Sequence, residues 1–510
     1  MPVIQDFRLR ANSWIGTYGA LLLAIGNLVL LQLCICVYRI WFHPLSKYPG
    51  PAILKVVSFP WIYTTLIKGT GPRSILELHR KCGKIVRLGP NHLAVDGSIG
   101  FPQVFGNRKV DHPKLPGFFI DFPNAIIGSN REVHRRQRRQ LNPAFSDLAV
   151  KEQESIVTRY VDLLLDKLSE QEALQKHVNI VEWLNFTTFD VIGDLTFGES
   201  FHSLEQSGYH PWVLNIVNSV RIASIARFLL WYIPPAVLSI GLKGTGIMKL
   251  AHEARFYAKE KALARISLGP VPKDGRRDFM TYMLNKEQNG GGMSETEIVA
   301  NSPFLVGAGS ETIATALSSL FFHLASNPSI YKAVADELRS KFHSKEDITV
   351  QSTTSLQHLN ACIEETLRIY PPVCESPPRI SLADGVVDGN YIPKGTIITV
   401  SQYATFRNPE HFQEPGSFLP QRWFPPSHPL FEDRFQSDNK AAFKPFSFGA
   451  RDCIGKRLAY AEMRVLAARF LHVFDFDMLP NQEDWLNKQL AFVIWDKGPL
   501  YIALQRRSTS

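Results

Sequence analysis

The first feature of the hydrophobic pattern is an uninterrupted apolar segment near the N-terminus. Residues 14–38 carry no charged side chain, and Trp14, Tyr18 and Tyr38 lie near the two ends. Such a segment can cross the hydrocarbon core of a bilayer, for which ~20 apolar residues are needed, and its aromatic residues suit the interfaces. We expect a short tail at residues 1–13, an uncleaved transmembrane anchor at residues 14–38 and a proline-containing linker at residues 39–51.

Helical periodicity dominates the middle and the end of the chain, so we expect the segment that follows the linker, residues 52–510, to be mainly helical. Ser294-Glu295-Thr296-Glu297 has the sequence of a capping box. It predicts a helix to about Ala325, with a kink at Pro303. Asn327 and Pro328 then predict the N-cap and the first residue of the next helix.

Composition and charge limit the classes of partner. With 510 residues, 45% of them hydrophobic, the chain can bury a large core. Its six cysteines show neither zinc-type spacing nor the pattern of a secreted disulfide framework. The net charge of +9 is spread along the chain, and no nucleic-acid-binding module is visible. We therefore expect an anionic membrane and an acidic protein partner, and no nucleic acid.

One cysteine lies in a sequence that is typical of a haem ligand. Cys453 is preceded by Arg451 and lies between Gly449 and Gly455, in a run that begins at Phe446. A cysteine thiolate can ligate haem iron, an arginine can pair with a propionate, and glycine lets the backbone approach a macrocycle. The start of the following helix would stabilise the thiolate. A buried cysteine in an ordinary turn is the alternative, but Phe-x-x-Gly-x-Arg-x-Cys-x-Gly is far more specific than Cys-x-Gly.

This pattern resembles the cysteine loop of the cytochrome P450 family of haem-thiolate monooxygenases. The likeness extends from about Pro49 to Leu504. It implies the cytochrome P450 fold, mainly α with small β-sheets, preceded by one N-terminal transmembrane helix. It also implies haem b as the cofactor, with Cys453 as the axial ligand of the iron and the cofactor-binding residues Phe446, Gly449, Arg451 and Gly455 around it.

A second segment resembles the family's Ala-Gly-x-Glu/Asp-Thr motif. By that match Gly309 would leave space for oxygen, and Glu311 and Thr312 would be the catalytic residues that supply protons. A glycine that only lets two helices pack is the alternative interpretation of Gly309.

Glu365-Thr366-Leu367-Arg368 resembles the family's Glu-x-x-Arg motif, and Arg422 lies in a segment similar to Pro-x-Arg-Phe/Trp. The resemblance implies a structural triad of Glu365, Arg368 and Arg422 that holds the chain before the cysteine loop. A solvated pair of Glu365 and Arg368 would be the ordinary meaning of this spacing alone.

His134 and Arg138 stand where many family members have Trp-x-x-x-Arg, and by that match both would bind the haem propionates. A solvated basic face is the alternative. A basic patch on the thiolate side would attract an acidic electron donor, and its expected members are Arg135, Arg136, Arg139, Lys456 and Arg457.

The resemblance implies a monooxygenase that hydroxylates or otherwise oxidises a lipophilic small molecule with O2 and two electrons. No segment resembles a flavin or nicotinamide domain, so the electrons would come from NADPH–cytochrome P450 reductase. Residues 118–120, 304–305, 373–376 and 491–493 would line the substrate cavity. Residues 84–90 and 189–198 look like those of filamentous-fungal members that tailor secondary metabolites such as terpenoids, polyketides or alkaloids.

The family likeness also implies a location and leaves two other functions open. The protein would lie in the endoplasmic reticulum membrane, single-pass, in contact with membrane lipid, with its catalytic domain in the cytosol. The first alternative is an isomerase or dehydratase of the same fold that needs no external electrons, against which Glu311 and Thr312 argue. The second is a non-enzymatic haem-binding sensor or electron carrier.

Overall fold

The structure is a computed structural model, and it describes residues 2–107, 112–116, 118, 124–241, 246–271, 275, 277–285 and 292–507. The predictions for Phe119 and Ile120 as cavity residues lie outside the described residues, as do Met1 of the expected tail and residues 508–510.

Helices make up most of the described chain, as predicted. In chain order they are α1 Pro2–Val37, α2 Ala52–Val56, α3 Phe59–Leu66, α4 Gly71–Cys82, α5 Gly97–Gly100, α6 Arg131–Leu141, α7 Asp147–Ala173, α8 Ile180–Phe197, α9 Ser203–Gln206, α10 Pro211–Tyr232, α11 Pro235–Gly241, α12 Gly246–Ser267, α13 Phe279–Leu284, α14 Glu295–Ser326, α15 Pro328–Lys341, α16 Gln357–Ile369, α17 Gln402–Phe406, α18 Lys456–Val473 and α19 Trp485–Lys488.

The β-structure is small and lies beside the helical core. The strands are β1 Ile85–Gly89, β2 His92–Val95, β3 Val178–Asn179, β4 Arg379–Ile380, β5 Gly385–Val387, β6 Asn390–Ile392, β7 Ile397–Thr399, β8 Phe474–Met478, β9 Leu490–Phe492, β10 Ile494–Asp496 and β11 Tyr501–Arg506. In one sheet the strands lie in the order β1-β2-β7-β4. Strands β2 and β7 are parallel, whereas the pairs β1–β2 and β7–β4 are antiparallel. A second has the order β3-β11-β8, and β9–β10 and β5–β6 are two-stranded.

Helix α1 contains the predicted membrane anchor and begins earlier than expected, because it also covers residues assigned to the tail. The apolar span runs from Tyr18 to Phe42 and ends in a π-helical turn, Tyr38–Phe42. None of the residues in its most apolar stretch is buried inside the protein. The span is a candidate transmembrane helix. Among the described residues α10 and α14 are also long and apolar enough, but α14 is largely buried inside the protein.

Helix α14 lies in the middle of the core and packs against α8, whose side chains are buried on every face. The predicted capping box at its start is confirmed: Ser294 Oγ accepts from the Glu297 N–H at 3.2 Å, and Glu297 Oε2 accepts from the Ser294 N–H at 2.9 Å. Pro303 lies inside this helix.

The end of α14 differs in one detail from the prediction. Asn327 occupies the N-cap position of α15, and Pro328 is its first residue. The Asn327 side chain does not cap α15, because its Nδ2 donates to the His323 carbonyl oxygen at 2.7 Å. The amide therefore satisfies a terminal carbonyl of α14, a group without an intrahelical partner.

Candidate active site

Cys453 lies between the 3₁₀ turn Gly449–Arg451 and helix α18. Its backbone N–H donates to the Phe446 carbonyl oxygen at 2.9 Å and closes the loop. The residue is exposed, yet dense protein around it raises the pKa of the Cys453 thiol by desolvation. The Gly455 N–H and the charges of Arg138 and Lys456 act in the opposite direction. The predicted stabilisation of a thiolate by the helix start is thus present, but burial outweighs it.

The two glycines of the loop differ in their surroundings within the protein. Gly449 has φ +82°, which favours glycine. A Cβ at Gly449 would overlap with the carbonyl oxygen of Phe105, so the close approach is to the protein's own backbone. Gly455 is not crowded, because a Cβ there would lie 3.8 Å from the nearest atom, on Phe145.

Phe446 fixes the loop to the helix that follows it. Its ring centroid lies 5.1 Å from that of Tyr460 on α18, and Lys456 Nζ lies 5.9 Å from the same Phe446 ring. Phe446 thereby braces the cysteine loop against α18.

A group of basic side chains converges on His134, which is buried on α6. Burial and the charges of Arg451, Lys114, Arg138 and Arg379 lower the pKa of His134 to about 3, so its ring is neutral. Such a concentration of positive charge around a buried imidazole fits a ligand with carboxylate groups, as haem propionates are.

Sequence analysis missed two members of this group, Lys114 and Arg379. They are paired across an isolated β-bridge, and Lys114 Nζ donates to the Ile127 carbonyl oxygen at 2.6 Å. Burial and the nearby arginines lower the pKa of Lys114 well below its usual range. Neither residue lies in a recognisable spacing, so only the fold brings them to His134 and Arg451.

Arg138 is held by the cysteine loop itself. Its guanidinium donates to the Asp452 carbonyl oxygen at 2.5 Å and to Asp452 Oδ1 at 2.8 Å, and its Nε donates to Asn142 Oδ1 at 2.8 Å. Arg138 therefore ties α6 to the residue before Cys453. Its role at a propionate stays a prediction.

One expected member of the basic patch, Arg136, is half-buried and paired. Arg136 forms an ion pair with Glu297, with Nη1 3.0 Å from Oε2, and also donates to the Gly292 carbonyl oxygen at 3.0 Å. It fastens α6 to the capping box of α14. Arg135, Arg139, Lys456 and Arg457 are exposed, although Arg457 lies 2.9 Å from Asp147 Oδ1.

The prediction that Gly309 leaves space for oxygen is wrong. A Cβ at Gly309 would lie 2.5 Å from Ile192 Cδ1, so this face of α14 is closed by α8. Gly309 is a helix-packing glycine, the alternative meaning of the motif. The open face is the one that carries Ala308, which is exposed, and Thr312, whose hydroxyl donates to the Ala308 carbonyl oxygen at 2.8 Å.

Glu311 lies beside this face and is buried, and its carboxylate is paired. Lys497 forms an ion pair with Glu311 Oε1 and also donates to Thr315 Oγ1 at 2.8 Å. Glu311 Oε2 has no hydrogen-bond partner among the residues that the structure describes. Lys497 was not foreseen, because it comes from the other end of the chain.

The structure brings Glu365, Arg368 and Arg422 together, and all three side chains are fully buried. Arg368 donates to both Glu365 oxygens at 2.8 Å, and Arg422 Nε lies 3.2 Å from Glu365 Oε2. Two further residues complete the network: Asp438 accepts from Arg422 Nη1 at 2.5 Å, and Trp423 Nε1 donates to Glu365 Oε2 at 2.8 Å.

The network extends from the side chains to the backbone. The Arg368 guanidinium donates to the carbonyl oxygens of Phe406, Pro415 and Ser417 at 2.9–3.0 Å. These bonds hold α16 against the irregular segment that leads to the cysteine loop.

A cavity of about 160 Å³ lies between α3, α10 and the segment before β4. It contains the predicted lining residues Phe118, Cys374, Glu375, Ser376, Ala491 and Val493, together with Trp61, Thr65, Arg227 and Trp231. Phe304 and Leu305 are not among the described residues that line this cavity; Leu305 lies in the main hydrophobic core and Phe304 packs against it. The cavity adjoins the basic group around His134. Its wall residue Leu115 directly follows Lys114 in the chain, and its wall residue Pro378 directly precedes Arg379.

The comparisons with known proteins agree with this geometry. The family model described as Cytochrome P450 matches residues 49–503. A cytochrome P450 monooxygenase, astJ, of Aspergillus oryzae is 37% identical, over 92% of this chain and 94% of the relative. Averantin hydroxylase of Dothistroma septosporum is 35% identical, over 99% and 94%. The cytochrome P450 monooxygenase atr2 of Stereocaulon alpinum is 34% identical, over 99% of both chains.

These likenesses confirm the predicted fold, the monooxygenase class and the resemblance to fungal secondary-metabolite members. The family implies a haem cofactor, and monooxygenases of this family use O2, a redox partner and a lipophilic substrate. The accessible Cys453 and the basic group around His134 fit that cofactor. With the match across residues 49–503, the chain belongs to the cytochrome P450 family.

Proposed function

We propose that this protein is a membrane-anchored haem b monooxygenase that receives electrons from NADPH–cytochrome P450 reductase and oxidises a lipophilic secondary metabolite. One observation carries the proposal: the accessible Cys453 is held by the Arg138–Asp452 contacts in the loop that precedes α18. A loop fixed in this way presents a sulfur ligand without needing to rearrange.

Haem b would be held by Cys453 at the iron and by the basic group at its propionates. Arg451 and Arg379 supply the charge there, and Lys114 and the neutral His134 supply N–H donors. When bound, haem supplies the redox chemistry of oxygen activation, which a thiolate ligand promotes.

The protein's own part is to bind, orient and supply protons. Thr312 offers a hydroxyl on the open face of α14, and Glu311 offers a buried carboxylate one residue before it. Lys497 fixes the direction of that carboxylate. A buried acid next to a hydroxyl can pass protons where bulk water is excluded.

The exposed basic residues Arg135, Arg139, Lys456 and Arg457 support an acidic electron donor that docks beside the cysteine loop. The exposed apolar span Tyr18–Phe42 supports an anchor in the endoplasmic reticulum membrane, with the catalytic domain in the cytosol. Trp41 and Phe42, 63% and 73% exposed, would lie at the interface.

Expression with and without the reductase tests the proposal. Candidate lipophilic metabolites are supplied, and products and oxygen consumption are measured. Product that depends on the reductase and on O2 is expected. Turnover without the reductase would instead indicate an isomerase or dehydratase, and haem binding with no turnover or oxygen consumption would indicate a sensor or electron carrier.

A charge reversal tests the docking surface separately. Lys456→Glu with Arg135→Glu should slow reduction of the haem several-fold at low salt and much less at high salt. Lys332→Glu with Lys341→Glu is the matched control, because both are exposed lysines on α15. An equal effect of both changes would contradict docking at the cysteine loop.

A further inference from the structure

Glu375 is a carboxylic acid in the wall of a mainly apolar cavity. The chain on both sides of it is fixed by hydrogen bonds. The Cys374 carbonyl oxygen accepts from the Tyr403 N–H at 3.1 Å, and the Ser376 N–H donates to the Val400 carbonyl oxygen at 3.0 Å. Ser376 Oγ accepts from Gln402 Nε2 at 2.9 Å. The position of Glu375 is therefore set by the fold and not by a ligand.

The carboxyl group has an unused acceptor. Oε1 of Glu375 is buried and has no hydrogen-bond partner among the described residues. Burial raises the pKa of Glu375 to about 7. A buried polar group without a partner is costly, and a native structure that keeps one needs a reason.

A second unused oxygen lies beside it. Thr65 Oγ1 lines the same cavity and is also buried without a partner in the described part of the chain. A Cβ built on Gly71 would lie 3.0 Å from Thr65 Oγ1 and 3.1 Å from Glu375 Oε1. Both oxygens thus lie close together beside the start of α4, and a side chain at Gly71 would crowd them.

The remaining wall indicates the kind of molecule that fits. Trp61, Phe118 and Trp231 present aromatic surface, which suits a ring system. Arg227 also lines the cavity and brings a positive charge. A neutral hydroxyl can donate a hydrogen bond to an acid in either of its protonation states.

We infer that Glu375, assisted by Thr65, accepts a hydrogen bond from a hydroxyl group of the substrate. The substrate class is therefore a neutral, lipophilic ring compound that carries a phenol or an alcohol. The inference rests on the proposed function, because it names the substrate of the same enzyme. Glu375 is a specificity-determining residue in this account and takes no part in the oxidation itself.

The test is equilibrium dialysis of the haem-loaded protein with a matched pair of probes, 2-naphthol and 2-methoxynaphthalene, which differ in the donor hydrogen. 2-Naphthylmethylamine serves as the cationic probe. We expect the wild-type protein to bind 2-naphthol roughly tenfold more tightly than the ether, which is the size of one hydrogen bond to a carboxyl group.

Variants separate the hydroxyl contact from cavity shape. Glu375→Leu should abolish the preference for 2-naphthol and leave the ether affinity unchanged, and Glu375→Gln, which keeps an acceptor, should retain part of it. Thr65→Val should reduce the preference for 2-naphthol less than Glu375→Leu does. Thr64→Val is the matched control for Thr65→Val, because Thr64 is the neighbouring residue on α3, does not line the cavity and donates its hydroxyl to the Pro60 carbonyl oxygen at 2.7 Å.

Two outcomes would overturn the inference. One is that wild type and Glu375→Leu prefer 2-naphthol over the ether to the same degree, or that neither protein shows this preference. The other is tighter binding of the amine than of 2-naphthol. The carbon-monoxide difference spectrum of each variant is recorded in parallel. A thiolate-type spectrum with no hydroxyl preference rejects this inference alone, whereas the absence of that spectrum from the wild type rejects the proposed function.

Discussion

Lys497 forms a buried ion pair with Glu311, and the two side chains are only 3% and 10% exposed. Lys497 follows β10 near the C-terminus, and Glu311 lies in the middle of α14. The same ammonium group donates to Thr315 Oγ1 at 2.8 Å, one turn after Glu311 on the same helix. The C-terminal segment therefore determines where the acid next to Thr312 points.

The first prediction concerns this pair. Lys497→Met should lower the free energy of unfolding by ~3–5 kcal/mol, because it leaves a buried carboxylate without its partner. The double variant Lys497→Met with Glu311→Gln should recover most of that loss, because the buried side chain at position 311 then carries no charge. Denaturant unfolding of the two single variants and the double variant gives the coupling energy.

Additive effects of the two changes would contradict a direct pair. Lys332→Met is the control, because Lys332 pairs with Asp336 at the surface, where both side chains are more than half exposed. That change should alter stability by less than ~1 kcal/mol.

The second prediction concerns Glu365. Glu365→Ala removes the acceptor that Arg368, Arg422 and Trp423 share. Two buried guanidinium groups then lose a carboxylate, and we expect a loss of ~3–5 kcal/mol in the free energy of unfolding. The purified protein should retain little haem, which the ratio of haem to protein absorbance reports.

A carboxylate from the same region provides the control for this change. Glu432 pairs with Arg434 at 2.7 Å, but both side chains are over 40% exposed. Glu432→Ala should keep the haem content of the wild type. A wild-type haem content in Glu365→Ala would show that the network does not support the cysteine loop.

The third prediction is a pH dependence that arises from Glu462 on α18. This residue is buried, its Oε1 has no hydrogen-bond partner among the described residues, and burial raises the pKa of Glu462 to about 8. Between the unfolded pKa and about 8, the folded state holds a proton that the unfolded state has lost. The contribution of Glu462 to the free energy of unfolding is therefore greatest below the pKa that Glu462 has in the unfolded chain. It decreases as the pH rises from that value towards 8.

Glu462→Gln does not titrate and should remove this dependence. The gain in unfolding free energy of Glu462→Gln over the wild type should grow by roughly 1.4 kcal/mol for each pH unit in that interval. Thermal unfolding of both proteins at about pH 5 and about pH 7 measures it. A gain that is equal at the two pH values would exclude a buried, protonated Glu462.

Sequence patterns predicted the local part of the site well. The capping box of α14 and the pair Glu365–Arg368 depend on residues three apart on one helix, where spacing fixes the contact. The position of Arg422 came only from a family likeness. Its partner Asp438 went unnoticed, because no local spacing relates it to Glu365.

Long-range packing decided what the sequence did not specify. Glu311 and Lys497 are 186 positions apart, so no periodicity connects them. Gly309 was assigned to the wrong face of α14. The sequence shows that a helix face carries a residue without a side chain, but it does not show which neighbouring element covers that face. Lys114 and Arg379 reach His134 through a β-bridge between distant segments. The unpaired Glu375 is visible only once the cavity around it is known.

The central claim is that the Cys453 sulfur ligates the haem iron. Its most direct test is the carbon-monoxide difference spectrum of the reduced, haem-loaded protein, measured for the wild type, Cys453→Ala and the control Cys82→Ala. We predict a thiolate-type spectrum for the wild type and for Cys82→Ala, and its loss in Cys453→Ala. An unchanged Soret band in Cys453→Ala would contradict the assignment.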